Sequence, residues 1–165
     1  MPPRRRSLIV LLAAAALAPG AAALASTSHA GWPPVARKDI QINRTDANKT
    51  LVAHPGVHNE LLGGHGNDTL IGGNLGDILW GDYKVNGPTT QVDHIMGGAG
   101  KDYIYASHGT NFIFTGGGGD VVHAHFGRGE IHCGSARDLV YLSHQSRPGY
   151  KLSGCKRISY KTIGY

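Results

Sequence analysis

The sequence predicts an all-β fold, a β-solenoid of nonapeptide units, and three observations carry that prediction. An apolar residue recurs in phase at Leu61, Leu70, Leu79, Ile95, Ile104, Ile113, Val122, Ile131 and Val140, with every step nine residues except one of sixteen. Two places before each stands Asn59, Asp68, Asp77, Asp93, Asp102, Asn111, Asp120, Gly129 or Asp138. Most of the 25 glycines follow the same phase, so they belong to a structured repeat and not to a flexible linker. A fixed period of this kind marks a chain built from stacked copies of one unit.

Ahead of the repeats, Arg4-Arg5-Arg6, the apolar run Leu8 to Ala18 and Ala23-Leu24-Ala25 read as a secretory signal peptide over residues 1–25. The run is too short for a good membrane span, and no other segment is apolar enough for one. Export would leave 140 residues, one domain's worth, outside the cell. Residues 26–44 carry no frame and read as an N-terminal arm. Thr45 to Ala53 looks like a worn first unit, with Leu51 or Val52 in the apolar role.

Residues 45–141 form the repeat body. The first six residues of each unit make a turn that needs glycine, because its backbone visits positive φ and comes close to whatever it binds. The last three make a short strand whose middle side chain points inward and whose neighbours point outward. Loop carbonyls and Asp carboxylates are hard oxygen donors of the sort Ca²⁺ takes at about 2.4 Å. The seven-residue insertion in Tyr83 to Val92 reads as a bulged loop, with turn chemistry from Gly87-Pro88.

Frames 63–71 and 97–105 match Gly-Gly-x-Gly-x-Asp-x-apolar-x at every specified place, with seven in-phase neighbours. The chain thereby resembles the RTX, or haemolysin-type, calcium-binding repeat family over about residues 45–141, as a small secreted bacterial member would. The resemblance implies a right-handed parallel β-roll with two units per turn and strands ~4.8 Å apart. It implies Ca²⁺ ions held between a loop and the loop one full turn later. It also implies a calcium-free roll that is largely disordered, so that metal binding is folding free energy. The ligands expected on this basis are Asp68, Asp77, Asp93, Asp102, Asp120 and Asp138, with loop positions Gly64, Gly66, Gly73, Gly98, Gly100, Gly117 and Gly118.

Alternate loops should share an edge. One edge then carries Asn59, Asp77, Asp102, Asp120 and Asp138 and has up to three sites; the other carries Asp68, Asp93, Asn111 and Gly129 and has one or none. Leu75 and Ala136 replace the fourth glycine of two loops, which weakens the end sites of the first edge. The second edge is rich in histidine, with His65, His108, His125 and His144. Neutral imidazoles could take Zn²⁺ or Cu²⁺, but no spacing matches a structural zinc pattern, and histidine as a polar residue of exposed turns is the simpler reading.

Outward strand positions on the first edge's side read Trp80, Tyr105, His123 and Tyr141, and Ile78, Tyr103, Val121 and Leu139. So apolar a face is covered by the arm or the tail, pairs with a second copy, or stacks on sugar rings or a surface partner. The chain ends in a basic cap, residues 142–165, and Cys133 and Cys155 suggest one disulfide that ties the tail over the open end.

From His54 to Ala136 eight acids face three Lys or Arg, a net of −5; from Arg137 onward six bases face one acid, a net of +5. An acidic body is a poor nucleic-acid footprint and suits cation binding. No phosphate loop, G-x-S-x-G, H-E-x-x-H or EF-hand pattern is present, and calcium ligation already accounts for the loop carboxylates. The reading is a secreted, extracellular, non-enzymatic calcium-binding protein with no nucleic-acid partner. An extracellular surface- or glycan-binding module, with calcium as scaffold, is the alternative.

Overall fold

The computed structural model describes residues 38–83, 88–135 and 137–162. The expected leader, the arm up to Arg37, and Gly87 of the insertion lie outside them. Thirteen strands follow one another: β1 (Lys38–Ile42), β2 (Thr50–Val52), β3 (His58–Leu62), β4 (Thr69–Ile71), β5 (Ile78–Trp80), β6 (Val92–Gly98) and β7 (Tyr103–Tyr105). Then come β8 (Thr110–Gly116), β9 (Val121–Ala124), β10 (Arg128–His132), β11 (Leu139–Leu142), β12 (Tyr150–Ser153) and β13 (Arg157–Ser159). One 3-10 turn, Arg147–Gly149, is the only helical element among the described residues.

Odd strands form one sheet in the order β1-β3-β5-β7-β9-β11-β13, and even strands a second in the order β12-β10-β8-β6-β4-β2. Every pairing is parallel. The result is a parallel β-roll of about six turns. Register follows the period: Ile113 pairs Ile131, and Val122 pairs Val140. The insertion is absorbed without loss of phase, since Leu79 still pairs Ile104 and Leu70 still pairs Ile95.

All nine in-phase apolar residues are fully buried and line the seam between the two sheets. At the worn first unit the inward residue is Leu51, which pairs Leu70, while Val52 points out. Glycine is what lets consecutive loops stack this closely. Gly98 has φ 113°, and a Cβ there would collide with the Gly73 carbonyl; Gly118, with φ 117°, stands in the same relation to Gly100.

The roll runs past both expected limits of the repeat body. Strand β1 lies within the segment expected as an arm, and it pairs β3 over its whole length. Its signal is the alternation Asp39-Ile40-Gln41-Ile42. The tail expected as a cap supplies β12 and β13, which extend both sheets by one strand. Cys133 and Cys155 are joined in a disulfide that packs against the end of the core.

Candidate metal centre

The sixth residue of each unit immediately precedes a strand or is its second residue, and all six sixth-position Asp residues are buried. Their first carboxylate oxygen plays the same part throughout, since Oδ1 accepts the backbone N–H of the sixth residue one turn earlier. On one edge Asn59 N donates to Asp77 (2.7 Å), Asp77 N to Asp102 (2.8 Å), Asp102 N to Asp120 (2.8 Å) and Asp120 N to Asp138 (3.0 Å). On the other, Lys49 N donates to Asp68 (2.7 Å) and Asp68 N to Asp93 (2.9 Å). The two Asp columns thus face opposite edges, as the phase requires.

The second oxygen separates the six. Oδ2 of Asp68, Asp93, Asp102 and Asp120 is buried with no hydrogen-bond partner. A buried, unpaired carboxylate oxygen is costly unless a cation answers it. Oδ2 of Asp77 instead accepts Gly73 N (2.6 Å), and Oδ2 of Asp138 accepts Ser135 N (3.0 Å) and Thr115 Oγ1 (2.8 Å). The expected asymmetry of four carboxylates against two therefore becomes two unanswered oxygens on each edge. The two second oxygens with protein partners belong to the end Asp residues of the first edge; Ala136, one of the two substitutions expected to weaken those ends, lies outside the described residues.

Withdrawal from water is the main cause that raises these carboxyls from 3.8: Asp102 to about 8, Asp93 to about 7, and Asp68 and Asp120 to about 6. The N–H each accepts pulls the other way, and neighbouring carboxylates add to the rise. Asp82, which no repeat rule singles out, contributes to the rise at both Asp68 and Asp93. It is buried where the insertion begins, and its Oδ2 accepts Gln91 Nε2 at 3.0 Å.

Beside three of the unanswered oxygens the space is kept by the first glycine of a loop; the Asp120 loop opens with Thr115 instead. A Cβ at Gly63 would stand 2.9 Å from Asp68 Oδ2 and strike the Gly81 carbonyl. At Gly97 it would stand 2.8 Å from Asp102 Oδ2 and strike the Thr115 carbonyl; at Gly81 it would be 3.2 Å from Asp93 Oδ2. These first-position glycines are not among the expected site residues, although the motif's leading Gly-Gly is the signal for them. Of the expected glycines, Gly64, Gly66, Gly98 and Gly118 have positive φ. The carbonyls of Gly73, Gly98 and Gly118 already accept Ala99 N, Gly117 N and Arg137 Nη2. Gly100 sits against Leu75 and Gly76, and Gly117 lies beside Ala99.

Where the sequence has Asn, its amide donates to loop carbonyls. Asn111 Nδ2 donates to the loop carbonyls of Ser107 (3.1 Å) and Gly109 (3.3 Å), while Oδ1 accepts Ser107 N (2.9 Å). Asn59 Nδ2 donates to His54 O (3.2 Å) and Val57 O (2.9 Å). These loops are closed by their own side chains.

Among the described residues no group of three or more His, Cys, Asp or Glu is gathered as for a side-chain metal site. The histidines stack on rings instead: His108 on Phe126 and His144 on Tyr160. The aromatic ladder of the odd sheet does form, Trp80 on Tyr105 (4.2 Å), Tyr105 on His123 (4.5 Å) and His123 on Tyr141 (5.0 Å). Tyr105 and His123 are nevertheless 5% exposed, so the middle of this ladder is withdrawn from solvent and offers no open stacking platform. Burial, and then His125, lowers His123 to about 4. No helix among the described residues is long and apolar enough to cross a membrane.

Residues 58–82 and 89–122 match the family model for the RTX calcium-binding nonapeptide repeat, in four copies. No curated protein and no solved structure matches the chain. Both matched segments lie within the stack of loops that holds the unanswered carboxylates. The matched segments of the roll are therefore RTX calcium-binding nonapeptide repeats.

Proposed function

We propose that this chain is an exported, non-enzymatic calcium-binding roll whose folding is coupled to uptake of Ca²⁺. The observation that supports this is the set of four buried Oδ2 atoms, on Asp68, Asp93, Asp102 and Asp120, that lack a hydrogen-bond partner, although Ser107 and Thr115 lie close enough to Asp93 and Asp120 to lower their carboxyls somewhat. Those of Asp68, Asp93 and Asp102 lie beside glycines packed against loop carbonyls, and carboxylate with carbonyl oxygen is a hard-oxygen donor set of the kind Ca²⁺ prefers. Asp77 and Asp138 would be weaker ligands, because protein donors already occupy their second oxygens.

The bound ion supplies positive charge between turns. The chain does the rest: Oδ1 fixes each carboxylate to the turn before it, burial excludes water, and the loop glycines bring the carbonyls close. Without a cation those carboxylates must be buried charged or take up protons, which opposes closure of the roll at neutral pH.

A circular-dichroism titration of residues 26–165 tests the reading. β signal should rise at millimolar Ca²⁺ and not at equal Mg²⁺. A chain with the same β signal under both conditions would show that folding does not depend on calcium.

A further inference from the structure

Lys101, Arg137 and Arg157 surround a hollow of about 330 Å³ floored by the backbone of Gly118 and Gly119. Lys101 and Arg137 occupy the fifth position of their loops, with Gly119 at that position in the loop between them. The hollow exists because residue 119 has no side chain: a Cβ there would lie 3.3 Å from Arg137 Cβ. Arg137 Nη2 donates to Gly118 O (2.8 Å), Arg157 Nη1 donates to Arg137 O (2.7 Å), and Lys101 Nζ lies 5.4 Å from the Tyr103 ring centroid. Each cation is thus held at the rim by one contact, and each guanidinium keeps most of its donors free. Among the described residues none of the three has a carboxylate partner.

We infer that Lys101, Arg137 and Arg157 form an oxyanion site for a sulfate- or phosphate-type group. Two guanidinium forks and an ammonium around a glycine floor are the donor set that a tetrahedral oxyanion accepts. Asp102, Asp120 and Asp138 follow Lys101, Gly119 and Arg137 directly in the chain and lie buried, so negative charge on them repels an anion held at the rim. Resting on the calcium reading above, occupation of the loops by Ca²⁺ offsets that repulsion, so the site strengthens when calcium is bound. The coupling is reciprocal, and the oxyanion must tighten calcium by the same factor.

The test is calorimetric titration of the calcium-saturated chain, already shown to be folded by its β signal. The probes are sodium sulfate, a sulfated monosaccharide, and sodium chloride at matched ionic strength; phosphate would precipitate the calcium. One equivalent of sulfate should bind saturably and chloride should not. Lys101→Gln, whose side chain makes no hydrogen bond in the fold, should weaken sulfate about tenfold. Arg157→Gln should do the same, and Lys151→Gln, paired with Glu130 on the even sheet, should do nothing. Equal binding of ion and ester shows that the pocket reads the oxyanion alone; tighter binding of the ester identifies an esterified ligand as the source. Sulfate heats equal to those of chloride, or variants that bind as the parent does, overturn the site. A chain that folds without calcium yet binds sulfate keeps the pocket and sinks the calcium reading; a calcium-folded chain indifferent to sulfate does the reverse.

Discussion

Asp102→Asn should stabilise the calcium-free roll and remove an ion from it. Asparagine keeps the carbonyl oxygen that accepts Asp77 N, and its amide can turn onto loop carbonyls as Asn111 already does. The Asp102 carboxyl sits at about 8 in the roll against 3.8 ordinarily. A raised value means that its favourable contribution is whole below about pH 4 and is lost as pH rises through about 8. At pH 7 the three-unit gap corresponds to at most about 4 kcal/mol. Urea unfolding in excess chelator reads the difference directly; where the parent is already unfolded, the β signal of the calcium-free chain reads it. The gain should shrink toward zero as pH falls to 4, while equilibrium dialysis at neutral pH should show one fewer ion bound. A variant no more stable than its parent at pH 7, or one that keeps the parent's ion count, would refute the assignment of Asp102 Oδ2 as an unanswered ligand.

Three further outcomes follow from the same geometry. Asn111→Asp replaces a donor to Ser107 O and Gly109 O with a second acceptor, so the calcium-free roll should lose about 1–3 kcal/mol and dialysis should find one more ion. Ile104→Ala removes a fully buried side chain from the middle of the seam and should cost about 2–5 kcal/mol in urea unfolding with calcium present. Cys133→Ser with Cys155→Ser opens a 22-residue link and should lower stability by about 3 kcal/mol, seen as an earlier thermal midpoint that added reductant does not shift further.

The parts of this structure that are legible in the sequence are those set by the period alone. A nine-residue phase names the inward residue of each unit, and the nine residues from Leu61 to Val140 are the buried seam. It also assigns the Asp columns to their edges, because two units make one turn. What the period does not encode is the partner of each Oδ2. That depends on individual departures: Thr115 in place of a first glycine reaches Asp138, and the backbone at Gly73 turns its N–H onto Asp77. Strand β1 and the tail strands are hard to read as roll because they lack the loop motif while keeping the inward-outward alternation. Asp82 escapes the repeat rule because its burial comes from the inserted loop, which no repeat describes.

The row of N–H groups donated to Oδ1 has a sense, and that sense has a consequence for the order of assembly. Each carboxylate serves the turn before it, so a turn is completed only when its successor along the chain is in place. The Asp138 turn differs, since its own N–H closes onto Ser135 O within its loop and its Oδ2 is filled by local donors. That turn lies beside the disulfide. Growth of the stack is thereby expected to start from the Asp138 turn and to run toward the N-terminal side.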